Sequence, residues 1–270
     1  MNTELNDVLQ TWRLDPGADA DAQVAAWLEA LQARGLLRAS TNAVLLGEQY
    51  HLGGAEDTRR MAEALGLTAE DRVLDLACYV GGPARQLARD YGCHVTGVDI
   101  SEDCIAIARR LTEVLGLEAR VEFLCCPAEA VPRPDGSFTV AWSQCSFPSD
   151  LSWLREVRRL LAPGGRVAFT GLIRRSEQAD PTLHSIEELP LHVQDFGFRV
   201  LSAEDISEAD LELGWYRSRQ KLRENDEHYF NLMGEGWVRR AYAELDIDTE
   251  SWRSGREGNG RVIAVKRERA

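Results

Sequence analysis

From Asp71 onward, short apolar runs rich in β-branched residues alternate with stretches of helical periodicity. This alternation is typical of a parallel sheet covered by helices, because each buried strand is followed by a helix that packs back onto the sheet. Helices are predicted at Pro83–Tyr91, at Glu102–Leu115 with Ser101 as N-cap, and at Leu151–Leu161 before a Pro-Gly-Gly stop. The predicted strands are Arg72–Leu76, His94–Asp99, Val121–Cys125, Phe138–Ser143, Arg166–Gly171, Arg199–Ala203 and Arg261–Lys266.

Two segments lie outside this regular core. The first is predicted to be helical, and its stretch Asp21–Ala33 carries an apolar face that ends near Gly35. The second is far longer than an ordinary connection of roughly 2–6 residues, so we expect a helical lid there. Its aromatic residues are expected mainly to pack, although four of them could line an acceptor pocket: Trp215, Tyr216, Tyr229 and Phe230. The predicted organisation is an N-terminal cap at 1–70, a core at 71–205, a lid at 206–259 and the last core strand at 260–270.

Acidic residues outnumber basic ones by 44 to 31, which gives the 270-residue chain a formal net charge of −13. Nucleic acids bind through clustered Lys and Arg, so no nucleic-acid partner is expected, and small neutral or cationic substrates fit better. No run approaches the roughly 20 apolar residues of a membrane span, so no membrane partner is expected. Six cysteines without a C-x-x-C pair favour reduced thiols in the cytoplasm over a metal site.

The most informative stretch joins two predicted strands through a turn of small residues. The first strand carries Asp75 near its end, the turn contains Gly81, and the second strand ends at Asp99, 18 residues after that glycine. Such a turn lets the backbone approach a ligand at the carboxyl ends of the strands, where Asp99 can accept hydrogen bonds from two ribose hydroxyls. The pattern predicts a nucleoside-binding site, although Asp99 could instead cap the following helix and Asp75 could be an ordinary strand-end acid.

These residues resemble the class I S-adenosylmethionine-dependent methyltransferases, and among them the small-molecule branch of sarcosine, dimethylglycine and phosphoethanolamine N-methyltransferases. The resemblance runs from about Gln49 to Gly171. It implies a Rossmann-like seven-stranded sheet with an antiparallel last strand, S-adenosylmethionine as cofactor, and a small-molecule methyl acceptor. The motifs that carry it are, in order, YHLGG at 50–54, GGPAR at 81–85, PDGSF at 134–138, WSQ at 142–144 and LAPGG at 161–165.

Carried over position by position, the resemblance implies a cofactor site along the carboxyl ends of the strands. Asp75 would lie near the methionine amino group, Asp99 would hold the ribose hydroxyls, and Ile100 would pack on the adenine. The other implied cofactor residues are Ala77, Tyr79 and Gly81 in the turn, Ala128 and Glu129 at the adenine edge, and Ser143 and Gln144 beside the transferable methyl.

The sequence departs from the family pattern in three places. The turn pattern acid-x-Gly-x-Gly-x-Gly has Ala77 and Tyr79 at its first two glycines, and Tyr79 could be a lid over the cofactor or a plug that reshapes the site. Pro127 replaces an acid that often approaches the adenine amino group. An Asp and a His that follow the fourth strand in phosphoethanolamine-type enzymes are here Cys145 and Ser149, so the acceptor chemistry of that branch does not transfer.

Three residues are candidates for catalysis. His51, beside Tyr50, would be a base if the acceptor must lose a proton, or else a satisfied histidine near the surface. Cys145 would be a nucleophile or metalloid ligand, or else a small buried hydrophobic residue.

The leading hypothesis is methyl transfer to a small molecule by in-line displacement. An amine acceptor fits the acidity and the branch, and a thiol or metalloid acceptor is the alternative that Cys145 suggests. A second hypothesis is a cofactor-binding protein of this fold with lost or altered methyl transfer. A nicotinamide-dependent dehydrogenase is disfavoured, because residues 77–82 do not supply G-x-G-x-x-G.

Overall fold

The computed structural model describes residues 20–33, 35, 41–147 and 149–268. Seven strands form one mixed sheet in the order β3-β2-β1-β4-β5-β7-β6. The pairs among β1 to β5 are parallel, whereas β7 runs antiparallel to both β5 and β6. The predicted Rossmann-like seven-stranded methyltransferase sheet is confirmed. Its strands are β1 (Arg72–Leu76), β2 (His94–Asp99), β3 (Val121–Cys125), β4 (Phe138–Gln144), β5 (Leu161–Arg174), β6 (Phe198–Asp205) and β7 (Glu257–Lys266).

Helices cover both faces of the sheet, so β1 is buried along nearly its whole length. Leu74 and Leu76 enter the core on one face, and Val73 enters the core on the other. A 3₁₀ turn, Gly47–Gln49, and a π-helical turn, Leu211–Tyr216, complete the helical parts. The helices are α1 (Ala20–Ala33), α2 (Thr41–Leu46), α3 (Gly54–Leu65), α4 (Gly82–Tyr91), α5 (Glu102–Val114), α6 (Leu154–Leu160), α7 (Leu189–Asp195), α8 (Ser207–Asp210), α9 (Arg217–Glu224), α10 (Asp226–Met233) and α11 (Glu235–Arg253).

The predicted positions of three strands and one helix needed correction. β6 runs from Phe198 to Asp205 instead of from Arg199 to Ala203, because it pairs with β7 over this whole length. β5 and β7 are longer than predicted because they pair with each other as far as Arg174 and Glu257. The helix α6 is shorter than predicted: it starts three residues later, at Leu154, and it ends at Leu160 because Leu161 already pairs with Phe138 of β4. Of the predicted N-terminal cap, residues 1–19, 34 and 36–40 lie outside the described residues, as do the last two residues of the chain.

The N-terminal cap and the lid share one apolar cluster. Val44 and Leu52 from the cap pack with Trp215, Tyr229 and further lid residues, so the two segments meet over the sheet beside Leu172 of β5. Trp215 and Tyr229 are buried packing residues, as predicted. Tyr216 and Phe230 are exposed instead. This shared cluster fixes how the lid approaches the carboxyl end of the sheet.

Candidate cofactor and acceptor site

The turn after β1 has a left-handed backbone at every second residue. Ala77, Tyr79 and Gly81 have φ angles of 55°, 52° and 77°. The two non-glycine residues each adopt this conformation at a cost of roughly 1–2 kcal/mol. The left-handed turn expected of the glycine pattern is therefore present, although Ala77 and Tyr79 stand at two of its glycine positions. At Gly81 space also matters, because a Cβ there would lie 2.4 Å from the Phe123 ring.

Asp99 ties this turn to the end of β2. Its Oδ2 accepts a hydrogen bond from the Tyr79 N–H at 3.0 Å, and its Oδ1 accepts one from the Ser101 N–H at 2.9 Å. The N-cap of α5 is Ser101, whose hydroxyl accepts from the Cys104 N–H, so the helix-cap alternative for Asp99 does not hold. An ionised carboxylate has about four acceptor positions, so Asp99 keeps capacity for further donors.

Asp75 is a buried carboxyl with an unused oxygen. Only 2% of the residue is exposed, and Oδ2 has no hydrogen-bond partner among the described residues. Burial, and then the neighbouring Asp99 charge, raise the pKa of Asp75 to about 8. Ser143, near the carboxyl end of the adjacent strand β4, also has a buried hydroxyl without such a partner. Unsatisfied polar atoms at the ends of two neighbouring strands indicate a ligand position.

The residues predicted for the adenine edge differ in accessibility. Ile100 is 76% exposed, which is unusual for a large apolar side chain and leaves a free apolar surface beside Asp99. Glu129 is exposed as well. Ala128 is buried in the main core, so its methyl group offers little surface to a ligand.

The two tyrosines of the predicted site lie against each other. The ring centroids of Tyr50 and Tyr79 are 4.7 Å apart, with the ring planes tilted by 40°. Tyr79 also packs on a cluster in which α1 supplies Trp27 and Leu28, and burial raises the pKa of its phenol well above the usual range. Tyr50 is 40% exposed and has a left-handed φ of 30°.

His51 is buried and contacts neighbouring groups through both ring nitrogens. Its Nδ1 lies 2.9 Å from the Leu52 carbonyl oxygen, and its Nε2 lies 3.1 Å from Thr58 Oγ1 and 3.2 Å from Gln49 Oε1. Burial lowers the pKa of His51, and the Asp57 charge opposes this only in part. His51 is therefore neutral near pH 7, and a role as base stays a prediction that requires it to leave one of these contacts.

Gln144 connects the end of β4 to helix α3. Its Nε2 donates to Asp57 Oδ2 at 2.9 Å, and its Oε1 accepts from Thr58 at 3.0 Å and from the Trp142 indole at 3.1 Å. Because both the nitrogen and the oxygen of its amide are hydrogen-bonded, Gln144 holds α3 against the edge of the sheet. Asp57 and Thr58 lie three and four residues after the YHLGG motif, near the start of α3, and the sequence interpretation did not select them.

Beyond β4, the chain turns at Cys145, which has a left-handed φ of 54°. Its N–H donates to the Thr170 carbonyl at 3.0 Å, and the Asn259 amide donates to its sulfur at 3.2 Å. The residue is exposed, yet desolvation by the surrounding protein, with the Asp210 charge, raises the pKa of the thiol to about 12. A protonated thiol is a poor nucleophile, so the geometry gives no support to that role for Cys145.

Asp210, at the end of α8, completes this cluster. Its Oδ2 accepts from Asn259 Nδ2 at 2.6 Å, and each of these residues is 1% exposed. Burial and the Asp57 charge raise the pKa of Asp210 to about 7, against lowering effects of Asn259 and Arg261. The sequence interpretation missed both Asp210 and Asn259. The only local signal was the Gly-Asn-Gly run at 258–260, immediately before the predicted last strand.

Within the described ranges, no group of three or more His, Cys, Asp or Glu side chains could hold a metal ion. None of the described helices combines the length and the apolar character that crossing a bilayer requires.

The sheet order and the acid-flanked left-handed turn define a nucleoside-binding α/β protein of the methyltransferase class. The family described as "Methyltransferase domain" matches residues 73–165. The chain is 31% identical over 194 residues to 27-O-demethylrifamycin SV methyltransferase of Amycolatopsis mediterranei, which covers 61% of this chain and 71% of that protein. It is 32% identical over 173 residues to methyltransferase GfsG of Streptomyces halstedii, and 44% identical over 115 residues to glycine/sarcosine/dimethylglycine N-methyltransferase of Actinopolyspora halophila.

Two solved structures show the same fold over nearly the whole chain. Phosphoethanolamine N-methyltransferase 2 of Haemonchus contortus, in complex with S-adenosyl-L-methionine, gives a TM-score of 0.77 at 20% identity and covers 94% of this chain and 62% of that one. The cyclase SpnF gives a TM-score of 0.69 at 25% identity and covers 94% of this chain and 99% of that one.

The chain belongs to the class I S-adenosylmethionine-dependent methyltransferases. S-adenosylmethionine is the methyl donor of this class. The matched regions cover 57% of this chain and 62% of GfsG, and 42% of this chain and 20% of the Actinopolyspora enzyme.

Proposed function

We propose that this chain transfers the methyl group of S-adenosylmethionine to a small-molecule acceptor, an amine, by in-line displacement. The observation that carries the proposal is the buried carboxyl of Asp75, whose Oδ2 has no hydrogen-bond partner among the described residues and which lies near Asp99 at the left-handed turn after β1. The Asp75 carboxyl suits the ammonium of the cofactor, and the Asp99 carboxylate suits its ribose hydroxyls.

The described residues fit the cofactor at both ends. Asp75 would pair with the methionine ammonium, and Asp99 would accept from the ribose hydroxyls while it braces the turn. Ile100 would cover the adenine with its exposed side chain. The bound sulfonium supplies the driving force for transfer, and the protein needs chiefly to hold the acceptor in line and exclude water.

An amine acceptor is supported by charge and by the relatives. The chain carries a formal net charge of −13, and the buried carboxyls Asp57 and Asp210 lie together near the end of β4. The relative with 44% identity over 115 residues is named for methylation of glycine, sarcosine and dimethylglycine. A cationic amine is the acceptor class that such surroundings would stabilise.

The test begins with calorimetric titration of the purified chain with S-adenosylmethionine and with S-adenosylhomocysteine. Labelled methyl transfer is then measured on a panel of glycine, sarcosine, dimethylglycine, phosphoethanolamine and 2-mercaptoethanol. We expect binding of both nucleosides and label in at least one amine. Absence of nucleoside binding would refute the proposal at its first step, and label in the thiol alone would replace the amine by a thiol acceptor.

A second candidate is a protein of this class that binds the cofactor and has lost or altered methyl transfer. The similarity to the cyclase SpnF favours it, because that protein covers 94% of this chain and is named for a different reaction. Binding of both nucleosides together with no label in any acceptor would support this candidate over the first.

A further inference from the structure

We infer that Asp210 and Asn259 form the acceptor subsite. The side-chain amide oxygen of Asn259, Oδ1, accepts a hydrogen bond from a protonated amine, and the Asp210 carboxylate takes a proton from that amine. This inference rests on the proposed function, methyl transfer from S-adenosylmethionine to an amine. It places the general base, Asp210, in the lid and not in the motifs that follow the sheet strands.

The two residues come from different parts of the fold and meet beside the end of β4. Asp210 ends the first lid helix, and Asn259 lies in β7 opposite Leu172 of β5. The Asn259 amide nitrogen donates both to Asp210 Oδ2 and to Cys145 Sγ. The cluster therefore links the lid to the strand end at which the cofactor residues Ser143 and Gln144 are predicted.

Within the described part of the chain, the side-chain oxygen of Asn259 is left without a hydrogen-bond partner. Asn259 is 1% exposed, and its Oδ1 accepts no hydrogen bond from any described residue. A buried amide oxygen without a donor costs roughly 1–3 kcal/mol, so its retention indicates a donor supplied by a ligand. An ammonium group is such a donor, and the adjacent carboxylate supplies the opposite charge.

The motif glycine Gly53 lies beside both the first turn of α3 and the Asp210 carboxylate. A Cβ at Gly53 would lie 3.6 Å from Asp210 Oδ1 and 2.6 Å from the Asp57 Cβ. The φ of Gly53 is +79°, which other residues rarely adopt. The left-handed φ and the short distance to Asp57 therefore require glycine at this position, while Asp210 Oδ1 is within ordinary contact distance of it.

The charges around Asp210 favour proton uptake at neutral pH. Asp57 on α3 and Asp205 on β6 raise its pKa and Arg261 on β7 lowers it, while Cys145 faces it as a protonated thiol. Arg261 is shared, since its guanidinium lies 2.7 Å from Glu204 and 3.8 Å from Asp57. With a pKa of about 7, Asp210 can both accept a proton and release it in the neutral range.

The proposed reaction balances without a further reagent. The ammonium of the acceptor gives one proton to Asp210, and the freed nitrogen lone pair forms the new bond to the methyl carbon. The bond between this carbon and sulfur breaks, and its electron pair stays on sulfur to give neutral S-adenosylhomocysteine. The methylated product carries the positive charge, and Asp210 passes its proton to solvent after product release.

The test compares Asp210→Asn with Glu208→Gln, a control that removes an exposed carboxylate from the same short helix. The probe is the best amine of the panel, with kcat and KM measured from pH 5.5 to 9 and S-adenosylhomocysteine affinity measured by calorimetry. We expect D210N to lower kcat by about 10²-fold or more, the usual scale of general base catalysis, and to lose the rise of kcat near pH 7. Nucleoside affinity should stay within threefold, which shows that the variant is folded.

A second variant, Asn259→Ala, tests the recognition half and is expected to raise KM for the amine more than it lowers kcat. The inference is overturned if D210N retains the wild-type kcat and pH profile while the wild type methylates an amine. It is also overturned if the wild type methylates only 2-mercaptoethanol. Failure of the wild type to bind either nucleoside is a different result, because it removes the proposed function itself.

Discussion

The buried carboxyl of Asp75 predicts that cofactor binding releases a proton at neutral pH. In the free protein, burial and the Asp99 charge raise the pKa of Asp75 to about 8, so the group is mostly protonated at pH 7. An ammonium placed against its unpartnered Oδ2 favours the carboxylate and lowers this pKa in the complex. Binding must then expel the proton that the free site holds.

The size of the effect follows from the pKa of Asp75 in the free protein and from its lowering in the complex. One pH unit below a pKa of about 8, roughly ten of eleven molecules carry the proton, so binding at pH 7 should release about 0.9 proton per cofactor. The sign follows from the same linkage: because the bound state holds fewer protons, affinity rises with pH. The association constant should increase roughly ninefold from pH 6 to pH 7 and level off above pH 8.

The assay is calorimetric titration with S-adenosylmethionine at pH 7 in phosphate and in Tris, whose ionisation enthalpies differ widely. The difference between the observed enthalpies, divided by the difference between the buffer enthalpies, gives the number of protons released. Asp75→Asn should bring this number close to zero, because the amide does not titrate. Glu102→Gln, which removes an exposed carboxylate of α5, should leave it unchanged.

Two results would refute the reasoning. One is a wild-type protein that binds S-adenosylmethionine with equal enthalpy in both buffers, which means that Asp75 is already ionised or never meets the ammonium. The other is a D75N protein that still releases a proton, which assigns the proton to a different group.

Three further substitutions test the turn and its partners. Gly81→Ala should lower the free energy of unfolding by roughly 2–4 kcal/mol in urea denaturation, because it combines a φ of +77° with a Cβ 2.4 Å from Phe123; a change under about 0.5 kcal/mol would contradict this close packing. Asp99→Ala should weaken S-adenosylhomocysteine binding about 150-fold in calorimetry, from two lost charge-assisted bonds of about 1.5 kcal/mol each. A loss of less than threefold would leave Asp99 a structural role only, as acceptor for the Tyr79 and Ser101 N–H groups. Tyr79→Phe removes a buried hydroxyl that has no hydrogen-bond partner among the described residues, so thermal stability should be equal or higher. Weaker nucleoside binding by this variant would instead indicate that the hydroxyl contacts the cofactor.

The closeness of Asp75 and Asp99 was predictable because it depends only on the pairing of neighbouring strands. Asp75 and Asp99 follow two β-branched runs at a spacing that fits one strand, one turn and one helix. Parallel strands that are neighbours bring their carboxyl ends to the same edge, and β1 pairs with β2 in the register from Arg72 with His94 to Leu76 with Val98. Sequence periodicity alone therefore placed the two acids together.

The contact between Asp210 and Asn259 could not be predicted in this way. Asp210 and Asn259 are 49 residues apart in sequence, and their contact depends on how the lid docks. That docking is decided by side-chain packing of Trp215 and Tyr229 with cap residues such as Leu52. Helical periodicity predicts that the lid is helical, but it does not predict which end of the lid meets the sheet. The sequence around Asp210 consequently gives no signal that distinguishes it from the other acidic residues of this segment.

The strained backbone of the chain supports treating both halves as one site. Among the described residues, the non-glycine residues with positive φ are Tyr50, Ala77, Tyr79 and Cys145. They lie in three separate loops, before α3, after β1 and after β4. Each loop borders the carboxyl ends of the neighbouring strands β1 and β4. A left-handed conformation costs a non-glycine residue roughly 1–2 kcal/mol, and stability alone would favour glycine or an ordinary turn at each position. Because the strained residues all lie at this one edge of the sheet, we infer that holding Asp75, Asp99 and Asn259 in position matters more for function than the stability that the strain costs.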